Sequence, residues 1–94
     1  MRLELSRTGG FAGRTVRWTL DTDELAADEA ARIDALVAGA RSWGGPPAEG
    51  ADRFHYLLRI SGTEDPIEVD FGEPGPPAAQ PLLDRLRRTA PEPG

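Results

Sequence analysis

The residues that could do catalytic or metal chemistry are few in this chain. His55 is the single histidine, and there is no cysteine, so neither a thiolate zinc site nor a disulfide scaffold can form. His55 falls on the polar side of a predicted strand, and no motif pairs it with a serine nucleophile. We therefore predict no enzyme activity, no metal site and no cofactor.

Two further patterns resemble ligand-binding loops but lack residues that such loops need. Asp21, Asp23 and Glu24 begin like a calcium loop, yet the glycine at its sixth position and the glutamate at its twelfth are missing. The glycine-rich residues 9–13 lack the lysine and hydroxyl residue of a phosphate loop, and they join two predicted strands. The acidic residues are typical of a helix start, and we expect no nucleotide and no small-molecule substrate.

A glycine-framed loop is the segment that indicates a binding role. It consists of Arg7, Thr8, Gly9, Gly10, Phe11, Ala12, Gly13 and Arg14. Glycine adopts positive φ without steric cost, so these glycines can turn the chain and leave Phe11 at the tip. An apolar ring at a loop tip favours a binding partner. The alternative is that Phe11 folds back over the sheet edge and the glycines serve only the turn.

Alternation of apolar and polar residues predicts two β-hairpins that would position this loop. Apolar residues take every second position over residues 1–5 and 16–20 in the first hairpin, and over 54–60 and 67–71 in the second. The glycine-framed loop would connect the first two strands.

Helical spacing of apolar residues predicts two amphipathic helices. The first extends over residues 25–40, and the second begins near Pro77 or Pro81 and ends before Pro91. The basic residues of the second helix are predicted to face solvent: Arg85, Arg87 and Arg88.

The element order ββαββα predicts a single domain over residues 1–94, in which residues 90–94 form a disordered tail. The fold class is α+β, with a four-stranded antiparallel sheet and two helices packed on one face. The predicted core is Leu3, Leu5, Val16, Trp18, Leu20, Ile33, Leu36, Val37, Phe54, Tyr56, Leu58, Ile60, Val69, Phe71, Leu82, Leu83 and Leu86. Trp43 either packs under the glycine- and proline-rich residues 44–51 or belongs to a binding surface, and its size favours packing.

Charge and hydropathy exclude several classes of partner. The net charge is -5, from 16 acidic and 11 basic residues, and no basic patch is interleaved with aromatic residues, so we expect no nucleic-acid partner. No apolar stretch is long enough to cross a bilayer, and arginines and a glutamate interrupt residues 1–20. We therefore expect a cytoplasmic protein without a membrane partner.

Several segments along nearly the whole chain resemble one known family. They are the Gly-Gly-Phe-Ala-Gly loop at residues 9–13, the acidic residues 21–25 with the alanine-rich helix that follows, and residues 52–56, 67–71 and 81–86. The chain resembles the emfourin family, small bacterial inhibitors of protealysin and related thermolysin-like metallopeptidases. The loop is the most distinctive of these segments.

The resemblance implies that residues 7–14 bind a thermolysin-like metallopeptidase and block its active-site cleft. Phe11 would fill the apolar specificity pocket, while Arg7 and Arg14 would pair with carboxylates at the rim of the cleft and mainly raise the association rate. The alternative is a non-inhibitory protein–protein interaction module, which would use the same hairpin or a free sheet edge.

Overall fold

An antiparallel sheet forms the centre of the computed structural model, which describes residues 1–9, 14–44, 54–73 and 75–93. Its strands are β1 (Arg2–Gly9), β2 (Val16–Asp21), β3 (Phe54–Ser61), β4 (Ile67–Gly72) and β5 (Glu92–Pro93). The order across the sheet is β4-β3-β1-β2-β5. The four predicted strands and their two hairpins are confirmed, and β1 lies between β2 and β3.

The short strand β5 covers one end of the sheet's β2 edge. Val16 pairs with Pro93 and Arg17 with Glu92. This pairing differs from the disordered tail predicted for residues 90–94. An edge strand such as β2 has backbone N–H and C=O groups that an adjacent extended segment can pair with, and β5 does so at Val16 and Arg17.

Two helices cover one face of the sheet, as predicted: α1 (Ala27–Val37) and α2 (Gln80–Arg87). Helix α1 is shorter than the predicted residues 25–40. Its start is displaced because the Asp21 carboxylate accepts a hydrogen bond from the Asp23 backbone N–H at 3.0 Å, which supports a separate 3₁₀ helix over Thr22–Glu24. Leu25 is then extended, and the α-helix can begin only after it.

The later helix boundaries also contain short 3₁₀ segments. Residues Ala40–Ser42 form one after α1, and Pro77–Ala79 form another immediately before α2. Helix α2 thus begins at Gln80, between Pro77 and Pro81, the two residues near which its start is predicted from the sequence. Among the described residues, no helix is long and apolar enough to cross a membrane.

The core lies between the helices and the face of the sheet that they cover, called the covered face below. Its buried apolar residues are Leu3, Leu5, Trp18, Leu20, Ile33, Ala40, Trp43, Tyr56, Leu58, Ile60, Phe71, Ala79, Leu82, Leu83 and Leu86. The other predicted core residues pack at its margin: Val16, Leu36, Val37, Phe54 and Val69. Trp43 is 5% exposed and belongs to the core, so it is packed in the interior, while residues 45–51, under which it is predicted to pack, lie outside the described residues.

Candidate functional site

Strand β1, which leads into the predicted binding loop, is paired with a strand on each side, β2 and β3. Strands β1 and β2 pair from Arg2 opposite Asp21 to Arg7 opposite Val16. Beyond that point β1 continues for two residues that pair with the start of β3, and the last pair joins Gly9 to Phe54. The chain therefore leaves β1 from a position that the sheet fixes.

Gly9 is where the chain turns out of β1. Its backbone φ is 96°, a conformation that residues with a Cβ atom rarely adopt. This agrees with the prediction that glycine allows the chain to turn here. The structure describes half of the predicted binding residues, namely Arg7, Thr8, Gly9 and Arg14. The other four lie outside the described residues: Gly10, Phe11, Ala12 and Gly13.

The two arginines of the predicted site have different environments. Arg14 is exposed, as a residue that contacts a partner's rim would be. Arg7 is half-buried on the covered face, in line with Leu3 and Leu5 along β1. Alternate residues of a strand share a face, so Arg7 points to the helix side of the sheet.

Arg7 is stacked against aromatic rings from the strands on either side. Its Cζ atom lies over the Phe54 ring of β3, 4.3 Å from the ring centroid. It also lies over the Trp18 ring of β2, at 5.3 Å from that centroid. Both distances are within the range of cation–π attraction, so the two rings fix where the guanidinium sits.

A second arginine contacts the next aromatic ring of β3, that of Tyr56. The Cζ atom of Arg87 in α2 lies 5.4 Å from the ring centroid of Tyr56, and its Nη2 donates a hydrogen bond to the Tyr56 hydroxyl at 2.8 Å. Tyr56 is directly opposite Arg7 in the sheet and stacks on Phe71, with ring centroids 5.6 Å apart. We call the residues of this region the arginine–aromatic cluster: Arg7, Trp18, Phe54, Tyr56 and Arg87.

The backbone around Phe54 is fixed by Glu73. The Phe54 N–H donates to a carboxylate oxygen of Glu73 at 3.2 Å, and the Glu73 N–H donates to the Phe54 carbonyl at 3.0 Å. These two bonds tie the first residue of β3 to the chain just after β4. The Phe54 ring is thereby held in place against Arg7.

Arginines on the opposite, open face of the sheet are arranged differently. One charged residue from each strand forms a row that we call the charge ladder: Glu68, Arg59, Glu4, Arg17 and Glu92. Arg59 Nε donates to Glu68 at 2.7 Å, and both Arg59 and Arg17 lie 3.9 Å from the Glu4 carboxylate. Each arginine of the ladder therefore has carboxylates on two sides.

Helix α2 carries a third arrangement. Arg85 donates to both carboxylate oxygens of Glu29 in α1, at 3.1 and 3.3 Å. The hydrogen bond from Arg85 lowers the pKa of Glu29 below its ordinary value, because it stabilises the ionised carboxylate. The prediction that Arg85 and Arg87 face solvent is wrong, since Arg85 joins the two helices and Arg87 stacks on Tyr56.

The other candidate sites show no arrangement of side chains, within the described residues, that indicates catalysis or metal binding. His55 is half-buried on the open face, opposite Thr8. No group of three or more metal-ligating side chains comes together within the described residues. A cavity of about 450 Å³ lies at the far end of the sheet, next to Met1 and Ile60, where Arg41 is already paired with Asp65.

Sequence reasoning missed most of the arginine–aromatic cluster. Trp18, Phe54 and Tyr56 were assigned to the core alone, and Arg7 was assigned to the loop. The pattern that could have placed Arg7 is the alternation itself, because residues 3, 5 and 7 must share one face.

A family model described as Emfourin matches residues 5–87, which is nearly the whole chain. A search of curated proteins and a search of solved structures find no match.

Proposed function

Because this chain belongs to the Emfourin family, we propose that it inhibits a thermolysin-like zinc metallopeptidase of the protealysin type. Family membership supports a small protease inhibitor, with a metallopeptidase as its kind of partner, rather than an enzyme. In our proposal, residues 7–14 occupy the active-site cleft of the peptidase and exclude its substrate.

The observation that best supports this proposal is the position of β1 in the sheet. Arg7 pairs with Val16 on one side and with Tyr56 on the other, and Gly9 still pairs with Phe54. A binding segment that starts from a fixed strand loses less conformational entropy on docking than a flexible substrate does. The fold therefore suits the presentation of an inhibitory segment from a fixed starting point.

Within the loop we assign two roles. Phe11 is proposed as the apolar side chain that fills the main specificity pocket. Arg14, which is exposed, is proposed to attract carboxylates at the rim of the cleft and so to raise the association rate. Resistance to cleavage would follow if the flanking glycines hold the backbone out of line with the zinc-bound water.

The test is an inhibition titration of purified protealysin-type peptidase and of thermolysin, with a peptide substrate. We expect the wild type to inhibit, and Phe11→Ala to weaken inhibition by about tenfold or more, as truncation of a central anchor does. Leu57→Ala is the matched control, because Leu57 is an apolar residue on the open face that pairs with Ser6 and not with a residue of the loop.

Each other result has a clear meaning. A wild type that leaves both peptidases fully active would contradict the proposal. Binding without loss of turnover would instead support the interaction-module alternative. Full inhibition by Phe11→Ala would remove Phe11 from the anchoring role while leaving the inhibitor function in place.

A further inference from the structure

We infer that Arg7 is a specificity-determining residue that binds a carboxylate of the target peptidase from the covered side of the sheet. This inference rests on the proposed function, but it concerns a different surface from the loop tip. It assigns Arg7 to holding the complex together, whereas Arg14 is assigned to steering.

The first argument is the geometry of the guanidinium. Arg7 lies over the rings of Trp18 and Phe54, which belong to the strands on either side of β1. Stacking uses the faces of the planar guanidinium, and its five N–H donors point outward in that plane. The rings therefore restrict the position of the group, and no described residue accepts a hydrogen bond from its N–H donors.

The second argument is the lack of a carboxylate at this position. Among the residues that the structure describes, Arg7 has neither an ion pair nor a hydrogen bond from its side chain. By contrast, Arg17, Arg59 and Arg85 all lie near carboxylates, in a chain that has 16 acidic residues. Arg2, Arg14 and Arg88 also lack a carboxylate partner within the described residues, but all three are exposed, whereas Arg7 is half-buried.

The third argument concerns the strength of such a contact. Arg7 is half-buried, so water screens its charge less than it screens the charge of the exposed Arg14. A guanidinium can bind a carboxylate through two parallel hydrogen bonds, which adds geometric selectivity. Truncating one member of such a desolvated pair mainly raises the dissociation rate, whereas exposed rim charges mainly affect association.

The occupant we propose is therefore an acidic side chain at the rim of the peptidase cleft. Peptidases that carry Asp or Glu at this position would be inhibited more persistently than peptidases that carry a neutral residue there. A free chain terminus offers the same carboxylate chemistry, and the peptide titration described below separates these two sources.

The experiment measures dissociation rates of complexes between the inhibited peptidase and the wild type, Arg7→Lys, Arg7→Met and the control Arg17→Gln. Arg17 lies on the neighbouring strand but on the open face, within the charge ladder. Rates are compared at low salt and at roughly 0.5 M NaCl, where charge interactions are screened. We expect Arg7→Met to dissociate about ten- to a hundredfold faster, Arg7→Lys to be intermediate and Arg17→Gln to match the wild type.

The salt dependence separates a carboxylate contact from a purely structural role. With a carboxylate contact, the dissociation rate of the wild type rises with salt, and that of Arg7→Met rises much less. If Arg7 only supports the hairpin, Arg7→Met loses stability as a free protein but keeps the salt dependence of the wild type. The second result would overturn the inference, as would wild-type dissociation rates for Arg7→Met.

A separate measurement applies if the wild type inhibits no peptidase, which would contradict the proposed function alone. The ¹⁵N-labelled protein is then titrated with N-acetyl-Ala-Glu-Glu-Ala-amide and with N-acetyl-tri-alanine, whose only carboxylate is terminal. A shift of the Arg7 Nε–H resonance with the first peptide supports an acidic side chain as ligand. A shift only with the second, or with neither, overturns the inference.

Discussion

On the open face of the sheet, Arg17 and Arg59 share the carboxylate of Glu4, whereas on the covered face Arg7 lies over the aromatic rings of Trp18 and Phe54. The open face uses opposite charges in a row and buries little apolar surface. The covered face buries apolar side chains and includes cations only at its margin. The comparison indicates that the covered face supplies most of the stability, and that its stacked arginine has hydrogen-bonding capacity left for a partner.

The largest expected difference in stability between substitutions on the two faces concerns two neighbouring leucines of β3. Leu58 is fully buried on the covered face, and Leu57 is half-buried on the open face opposite Asp70. Leu58→Ala should lower the free energy of unfolding by about 2–5 kcal/mol, because it removes core contacts and leaves a cavity. Leu57→Ala should cost less than about 1 kcal/mol. Urea denaturation of both variants measures the difference, and equal losses would contradict the comparison.

The covered face should also resist an added methyl group. Gly75 has a φ of 83°, and a Cβ there would lie 2.9 Å from Cε2 of Phe71. Gly75→Ala should therefore cost about 1–3 kcal/mol through strain and overpacking. The control is Gly39→Ala, where no atom lies within 4 Å of the added Cβ. That variant should be neutral or stabilise by up to about 1 kcal/mol in thermal unfolding.

The Arg85–Glu29 pair should make part of the helix packing dependent on pH. The pKa of Glu29 is lowered in the folded state, so the stabilisation from the pair is complete above the ordinary glutamate pKa and is lost as the pH falls through the lowered pKa of the folded state. The stability difference between wild type and Glu29→Gln should therefore be largest near neutral pH and disappear once the pH has fallen below the lowered pKa of Glu29. Melting temperatures from neutral pH to below that pKa measure it, with Glu64→Gln in the exposed β3–β4 turn as the control. A difference that does not change with pH would contradict the assignment.

The smallest effect on the free energy of unfolding is expected from a substitution in the charge ladder. Glu4→Gln removes the carboxylate that Arg17 and Arg59 share, but both arginines keep a second carboxylate. Exposed ion pairs contribute little, so the cost should stay under about 1 kcal/mol and should shrink further in high salt. Inhibition should not change, because the ladder lies on the other face from Arg7. A strong loss of inhibition would show that the open face also takes part in binding.

Period-two alternation made the sheet and most of its core predictable. Each strand presents its apolar residues to one layer of helices, so the chain's own pattern determines which side chains are buried. The same alternation places Arg7 with Leu3 and Leu5 on the covered face, although its position beside the glycines assigns it to the loop. For a strand residue, the face it shares is a better guide than its distance from a turn.

Other features depend on interactions that the pattern does not contain. The start of α1 is set by a hydrogen bond from a backbone N–H to the Asp21 side chain, which competes with helix formation. The stacking of Arg87 on Tyr56 requires α2 to dock on the sheet, and a helical pattern does not show which strand it meets. Residues 10–13 remain a sequence prediction, because they lie outside the described part of the chain.

The charge ladder also restricts the direction from which a large enzyme can approach. A protein that lay flat on that face would have to strip hydration water from five charged side chains, three of them acidic, and would receive few apolar contacts in return. Approach along the strands, towards the end where Gly9 leaves the sheet, avoids this penalty. The bound enzyme would then contact only the end of the sheet where Gly9 leaves it, and the charged open face would stay exposed to solvent.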